Sequence, residues 1–125
     1  RVLVVDDEPD ARELVAVILR EYGADVRVAP SAHDAYGEVQ SWRPDVLVAD
    51  IGMPDEDGYS LLRRIRALPP EQGGAIPAAA LTAYAQAEDR DRAFAAGFQE
   101  HVAKPVFAHD LAQLVGALAR KRVPS

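Results

Sequence analysis

The chain has 125 residues, 20 acidic and 14 basic, for a net charge of -6 with neutral histidines; 49% of residues are hydrophobic and 27% charged, the composition of an ordinary globular domain. The absence of cysteine excludes disulfides, thiolate metal sites and cysteine nucleophiles. The acid excess argues against holding nucleic acid by phosphate neutralisation, and neither a secretory signal pattern nor an apolar run near the roughly 20 residues of a membrane span is found.

In chain order, a β-branched run at Val2–Val5 predicts a first strand. Leu14, Val15, Ile18, Leu19 and Tyr22 follow at helical spacing, and Gly23 supplies a stop. Val26–Ala29 predicts the second strand. Ala32, Ala35, Tyr36 and Val39 predict the second helix, with Ser31 as its N-cap. After a third strand at Val46–Ala49, the Asp57-Gly58 turn opens a helix carrying Leu61, Leu62 and Ile65, which closes before Pro69-Pro70. Ala78–Leu81 has poor strand propensity and is assigned as the fourth strand from its place in the alternation. A fourth helix over Glu88–Ala96 ends at Gly97, His101–Ala103 forms the fifth strand, and a last helix carries Phe107, Leu111, Leu114, Val115 and Leu118. Five strands alternating with five helices predict an α/β fold, a doubly wound five-stranded parallel sheet with right-handed crossovers. Strands 1 and 3 are nearly all apolar, as a sheet covered on both faces requires. Tyr36 and Trp42 are expected to pack against the sheet. His33 and His109 fall on helix surfaces with no nucleophile to pair with, which argues against a hydrolase triad. Arg120-Lys121-Arg122 suits the dipole at a helix end and is too short for a nucleic-acid patch.

In an open α/β sheet, ligands bind outside the carboxyl ends of the strands. Asp6-Asp7 follow the first strand, Asp50 the third, Thr82 the fourth and Lys104-Pro105 the fifth. Three carboxylates, a hydroxyl and an ammonium therefore converge. Clustered carboxylates call for a cation, and oxygen-only ligands favour a hard ion such as Mg²⁺, with Mn²⁺ as a substitute. Lys104 suits a phosphoryl oxygen or a carboxylate, and Thr82 can donate to an oxyanion. Taken singly, each has a plainer role: Asp6 and Asp7 as acids at a helix N-terminus, Thr82 as a turn cap, Lys104 as a solvated lysine, Pro105 as a helix start.

The segments VLVVDDEP, LVADIGMPDEDGYSLLRRIR, ALTAYA and HVAKP, in this order and each at a strand end, closely resemble the receiver domain of bacterial two-component response regulators, a flavodoxin-like fold. The resemblance spans essentially residues 1–125. It implies that Asp50 accepts a phosphoryl group from the phosphohistidine of a histidine kinase or a histidine phosphotransfer domain. It further implies that Asp7 and Asp50 ligate Mg²⁺ directly, that Asp6 acts largely through water, and that the Gly52 carbonyl completes the protein ligands. Thr82 and Lys104 would hold the phosphoryl oxygens. Such a site supplies positioning and charge neutralisation, which is most of what a loose phosphoryl-transfer transition state requires. The family also implies a cis peptide before Pro105, a supporting loop containing Pro54 and Gly58, and a readout face, which can pair two copies, built from the fourth helix, fifth strand and fifth helix. The domain is then a cytoplasmic switch rather than a metabolic enzyme, in contact with neither nucleic acid nor membrane.

One position departs from the pattern. Three residues before Lys104, most receivers carry Tyr or Phe, which swings inward when the hydroxyl residue engages the phosphoryl group; here it is His101. Imidazole titrates near neutrality and prefers a polar partner, so that coupling is altered, and Tyr84 is a second candidate for gating. Arg1 in place of Met, together with the wording of the acceptor loop, leads to the expectation of a domain cut from a longer chain, such as a hybrid sensor kinase. Two alternatives are a degenerate receiver acting only in binding and an aspartate-nucleophile phosphatase of the haloacid dehalogenase type. The first usually lacks an acid, the hydroxyl or the lysine. The second needs two aspartates separated by one residue after the first strand, where this chain has the adjacent pair Asp6-Asp7. A flavodoxin-like nucleotide binder would need a Gly-rich loop in place of Glu8-Pro9-Asp10.

Overall fold

The computed structural model describes residues 1–83, 87–104 and 106–120. Strands β1 (Val2–Val5), β2 (Val26–Ala29), β3 (Val46–Asp50), β4 (Ala78–Thr82) and β5 (Glu100–Ala103) alternate with helices α1 (Pro9–Glu21), α2 (Ala32–Trp42), α3 (Gly58–Arg66), α4 (Ala87–Ala96) and α5 (Ala108–Arg120), with a short 3-10 turn at Pro70–Gln72. The sheet is parallel throughout, in the order β2-β1-β3-β4-β5. The strand order reverses between β1 and β3, so a crevice opens at their carboxyl ends.

Side-chain alternation divides the core into two layers. Leu3, Val5, Leu47, Ala49, Ala78 and Ala80 pack with α2, α3 and α4, while Val2, Val4, Val46, Val48, Ala79 and Leu81 pack with α1 and α5. β4, the strand with the weakest propensity, is buried along its whole length. Its alanines let the helices approach closely, and packing overrides propensity. Tyr36 and Trp42 rest on the first layer as expected, each under at least one guanidinium: Arg64 lies over Tyr36, and Arg27 over Trp42.

Local signals set the helix ends. Ser31 Oγ accepts the Asp34 N–H, and Asp57 Oδ1 accepts the Ser60 N–H at 2.8 Å. Gly23 and Gly97 adopt positive φ after α1 and α4.

Three expectations need correction. β3 and β4 each run one residue further, so Asp50 and Thr82 are the last residues of their strands rather than the first residues beyond them. On α1 the buried face is centred on Ala16 and Leu19, leaving Leu14 at 61% exposure. The small Ala16 lets the helix seat on that side, and Tyr22 lies past the helix end at 57%. Phe107 precedes α5: its carbonyl accepts the Leu111 N–H, and its ring is 73% exposed.

Candidate functional site

The crevice is lined by the ends of β1, β3, β4 and β5. Asp6 follows β1 directly and is 4% exposed. Its carboxylate is held on both oxygens, Oδ1 by the Glu8 N–H at 3.0 Å and Oδ2 by Lys104 Nζ at 3.2 Å. Its backbone N–H donates to Ala29 on β2, and its carbonyl accepts from Arg12 Nη1 at 3.0 Å. Asp7 is exposed and Asp50 half-buried. Carboxylate oxygens of Asp6, Asp7 and Asp50 all lie within 4.8 Å of one another.

Lys104 bridges two of these acids, with Nζ 3.4 Å from Asp50 Oδ1 as well as 3.2 Å from Asp6. The backbone carries it there: β5 pairs with β4 through Thr82 and Ala103, and the Lys104 N–H donates to the Thr82 carbonyl at 2.7 Å. Thr82 is itself 4% exposed at the end of β4.

The electrostatics follow from this crowding. Burial and the neighbouring Asp6 charge push the Asp50 carboxyl above its ordinary value, against the opposing pull of Lys104 and the Gly52 N–H. Burial alone would lower the Lys104 ammonium, yet the charges of Asp50 and Asp6 outweigh it and the net shift is upward. Three carboxylates against one ammonium leave two negative charges in a crevice whose donors are oxygens. That donor set fits a hard divalent cation.

The loop after β3 is fixed by close packing. The Gly58 and Met53 N–H groups both donate to the Ile51 carbonyl. A Cβ at Gly58 would lie 2.8 Å from the Asp50 carbonyl oxygen, so only glycine lets α3 begin this close to the acid. Gly52 is exposed, with its N–H 3.4 Å from Asp50 Oδ1, and Pro54 is exposed in the same loop. His101 lies apart from the acids, on β5 beside Ala80. Tyr84 and Pro105, with Lys121 and Arg122, lie outside the described residues. His33 and His109 are exposed, as expected.

Arg12 was not singled out in the sequence. An arginine in the first turns of a helix that follows two acids is the available signal, but the sequence does not show that it reaches back to the Asp6 carbonyl.

Comparison with known proteins agrees with this architecture. Residues 2–116 match the response regulator receiver domain, and the chain belongs to that family. It is therefore a regulatory domain of two-component signalling rather than a classical enzyme. A 14.6 kDa protein of the sodA1 3' region of Leptolyngbya boryana is 46% identical over 114 residues, 91% of this chain and 86% of the relative. The transcriptional regulatory protein TrcR of Mycobacterium tuberculosis is 40% identical, and the match spans 96% of this chain and 46% of that one. A response regulator structure from Chloroflexus aurantiacus superposes with a TM-score of 0.89 at 31% identity, covering 95% of this chain and 96% of that one. Among the described residues no helix is long and apolar enough to cross a membrane.

Proposed function

We propose that residues 1–125 act as a single receiver domain in which Asp50 accepts a phosphoryl group from the phosphohistidine of a histidine kinase or histidine phosphotransfer domain. The observation that carries this reading is the convergence of Asp6, Asp7, Asp50 and Lys104 at the carboxyl end of a family-matched sheet. A carboxylate oxygen of Asp50 attacks phosphorus, the P–N bond to the donor imidazole breaks, and an acyl phosphate forms. An ionised carboxylate needs no general base.

Asp7 and Asp50 are the residues that would hold Mg²⁺ or Mn²⁺ directly, with Asp6 acting largely through water and Gly52 through its carbonyl. The bound cation neutralises charge on the acids and on the transferred group. Lys104 and Thr82 would hold phosphoryl oxygens. Gly58 and Pro54 shape the loop that carries the acceptor, and Pro105 keeps the structural part that the family resemblance implies for it. Thr82, His101 and Tyr84 are assigned to the switch that transmits the acyl phosphate to the face of α4, β5 and α5. Exposed Phe94 on α4 supports that face as the contact for a partner or a second copy. A cytoplasmic location, without direct contact with nucleic acid or membrane, goes with this reading.

The test is labelling with a small phosphodonor with and without Mg²⁺. Wild type should take up one base-labile, acid-stable phosphoryl group in the presence of Mg²⁺, and Asp50→Asn none. A wild type that stays unlabelled, or an Asp50→Asn variant labelled to the same extent, overturns it.

A further inference from the structure

Among the described residues β5 is an edge strand, paired with β4 alone. Through its register with Ala80, His101 shares the sheet face that α2, α3 and α4 cover. Its Nε2 is shut off from solvent and makes no hydrogen bond among the described residues. Buried polar atoms are nearly always paired, and an unpaired one carries the full loss of its hydration. The residue as a whole is half-buried rather than sealed.

The helix packed on β5 is α4, and its first turns bring two charged groups to bear on the imidazole, Asp89 and Arg90. β4 (Ala78–Thr82) offers no titratable side chain. On its own segment, Glu100 falls on the opposite face of the strand, and Lys104 is engaged with Asp6 and Asp50. The backbone of Asp89 is tied to α3, since its carbonyl accepts from the hydroxyl of buried Tyr59 at 3.2 Å.

We propose that His101 is a proton-operated latch between β5 and α4. When neutral, the imidazole stays in its slot with Nε2 unpaired. When protonated, it gains a donor with no acceptor inside and leaves for the Asp89 carboxylate, loosening the contact between α4 and β5. Burial lowers the His101 imidazole below its ordinary value, Asp89 pulls it back upward and Arg90 adds to the lowering. That ordering is expected of a group comfortable inside only when uncharged. The family's phosphoryl switch then gains protons as a second input. Calling this face the readout rests on the function proposed above; its response to protons does not.

The test is an NMR titration of this chain from about pH 8 to about pH 5 without metal or phosphodonor, following the His101 ring and the amides of α4 and β5. The ring should titrate with a midpoint below 6.5, and the α4 and β5 amides should move with that same midpoint. In His101→Gln they should stop moving, and in Asp89→Asn the midpoint should fall further. A ring that titrates without moving those amides, amides that move equally in His101→Gln, or an unchanged midpoint in Asp89→Asn overturns the latch. If His101→Gln does not fold, His101→Phe replaces it, and the Asp89→Asn arm stands independently. Binding of beryllofluoride with Mg²⁺ at about pH 8, where His101 is neutral, reads the phosphoryl site separately. No binding with an intact proton response sinks the phosphoryl reading and leaves the latch, while binding without a proton response sinks the latch alone.

Discussion

β1 and β3 lie between two helical layers, and their Val, Leu and Ala side chains are at most 4% exposed, whereas β5 has a single strand neighbour and no buried position. The acids hang from the first pair: Asp6 directly after β1, Asp50 at the end of β3. The ammonium that reaches them, Lys104, follows β5. The acids are thus mounted on the fully buried middle of the sheet, and the lysine on its least buried strand. Such a division suits a switch, because the acids stay fixed while the groups that answer them can shift.

The contrast is open to direct attack, beginning with the largest effect. Leu47→Ala, in the fully buried middle of β3, should lower unfolding free energy by about 2–5 kcal/mol in urea titrations, the usual range for a sealed leucine. Val102→Ala on β5, half-buried, should fall below about 1.5 kcal/mol. Comparable losses at the two positions would remove the distinction.

Next comes the loop. Gly58→Ala drives a Cβ against the Asp50 carbonyl, and a loss of about 1–3 kcal/mol is expected by thermal denaturation. Gly52→Ala has nothing within 4 Å of the added carbon, so its stability should stay within about 0.5 kcal/mol of wild type. A smaller effect is expected for Lys104→Ala. Without metal it should lose about 1 kcal/mol, because Asp6 and Asp50 lose their shared ammonium. Mg²⁺ affinity by calorimetry should be equal or tighter, since one positive charge leaves the crevice. Weaker Mg²⁺ binding would contradict the placement of the lysine.

The smallest effect concerns pH. The folded His101 imidazole sits below its ordinary value of 6.5, so between that value and its folded one the unfolded chain binds more protons. Its contribution is therefore complete above 6.5 and is lost as pH falls through 6.5 toward the folded value. Wild type should lose more stability on acidification than His101→Phe in paired urea titrations, and parallel pH profiles would contradict this.

Much of this was legible in the sequence, for identifiable reasons. β1 and β3 announce themselves because strands buried on both faces are filled with Val and Leu, and the turn at Asp57-Gly58 carries its own cap chemistry. The acids were readable because strand ends in an α/β sheet point to one crevice. The seating of α1 was not readable: Leu14 and Ala16 are both apolar, and only contact with the sheet decides which is covered. The strand ends bring Lys104 to the acids, but that it takes an oxygen of Asp6, 98 positions away, was not readable. Arg66 shows the same limit. Its guanidinium, with its pKa lowered by burial, donates to the carbonyls of Gly74 and Gly97 and to the Gln99 side chain, and no local spacing points to these partners. Such a tie between α3 and the ends of two later elements leaves no local pattern.

The most direct measurement of the central claim is to locate the phosphoryl group. The chain is treated with a small phosphodonor and Mg²⁺, the acyl phosphate is reduced with borohydride, and the modified residue is read by peptide mass spectrometry. The expected result is modification at Asp50 alone, dependent on Mg²⁺ and absent in Asp50→Asn. Modification at Asp6 or Asp7 instead, or none at residue 50 under conditions where Mg²⁺ binds, would contradict it.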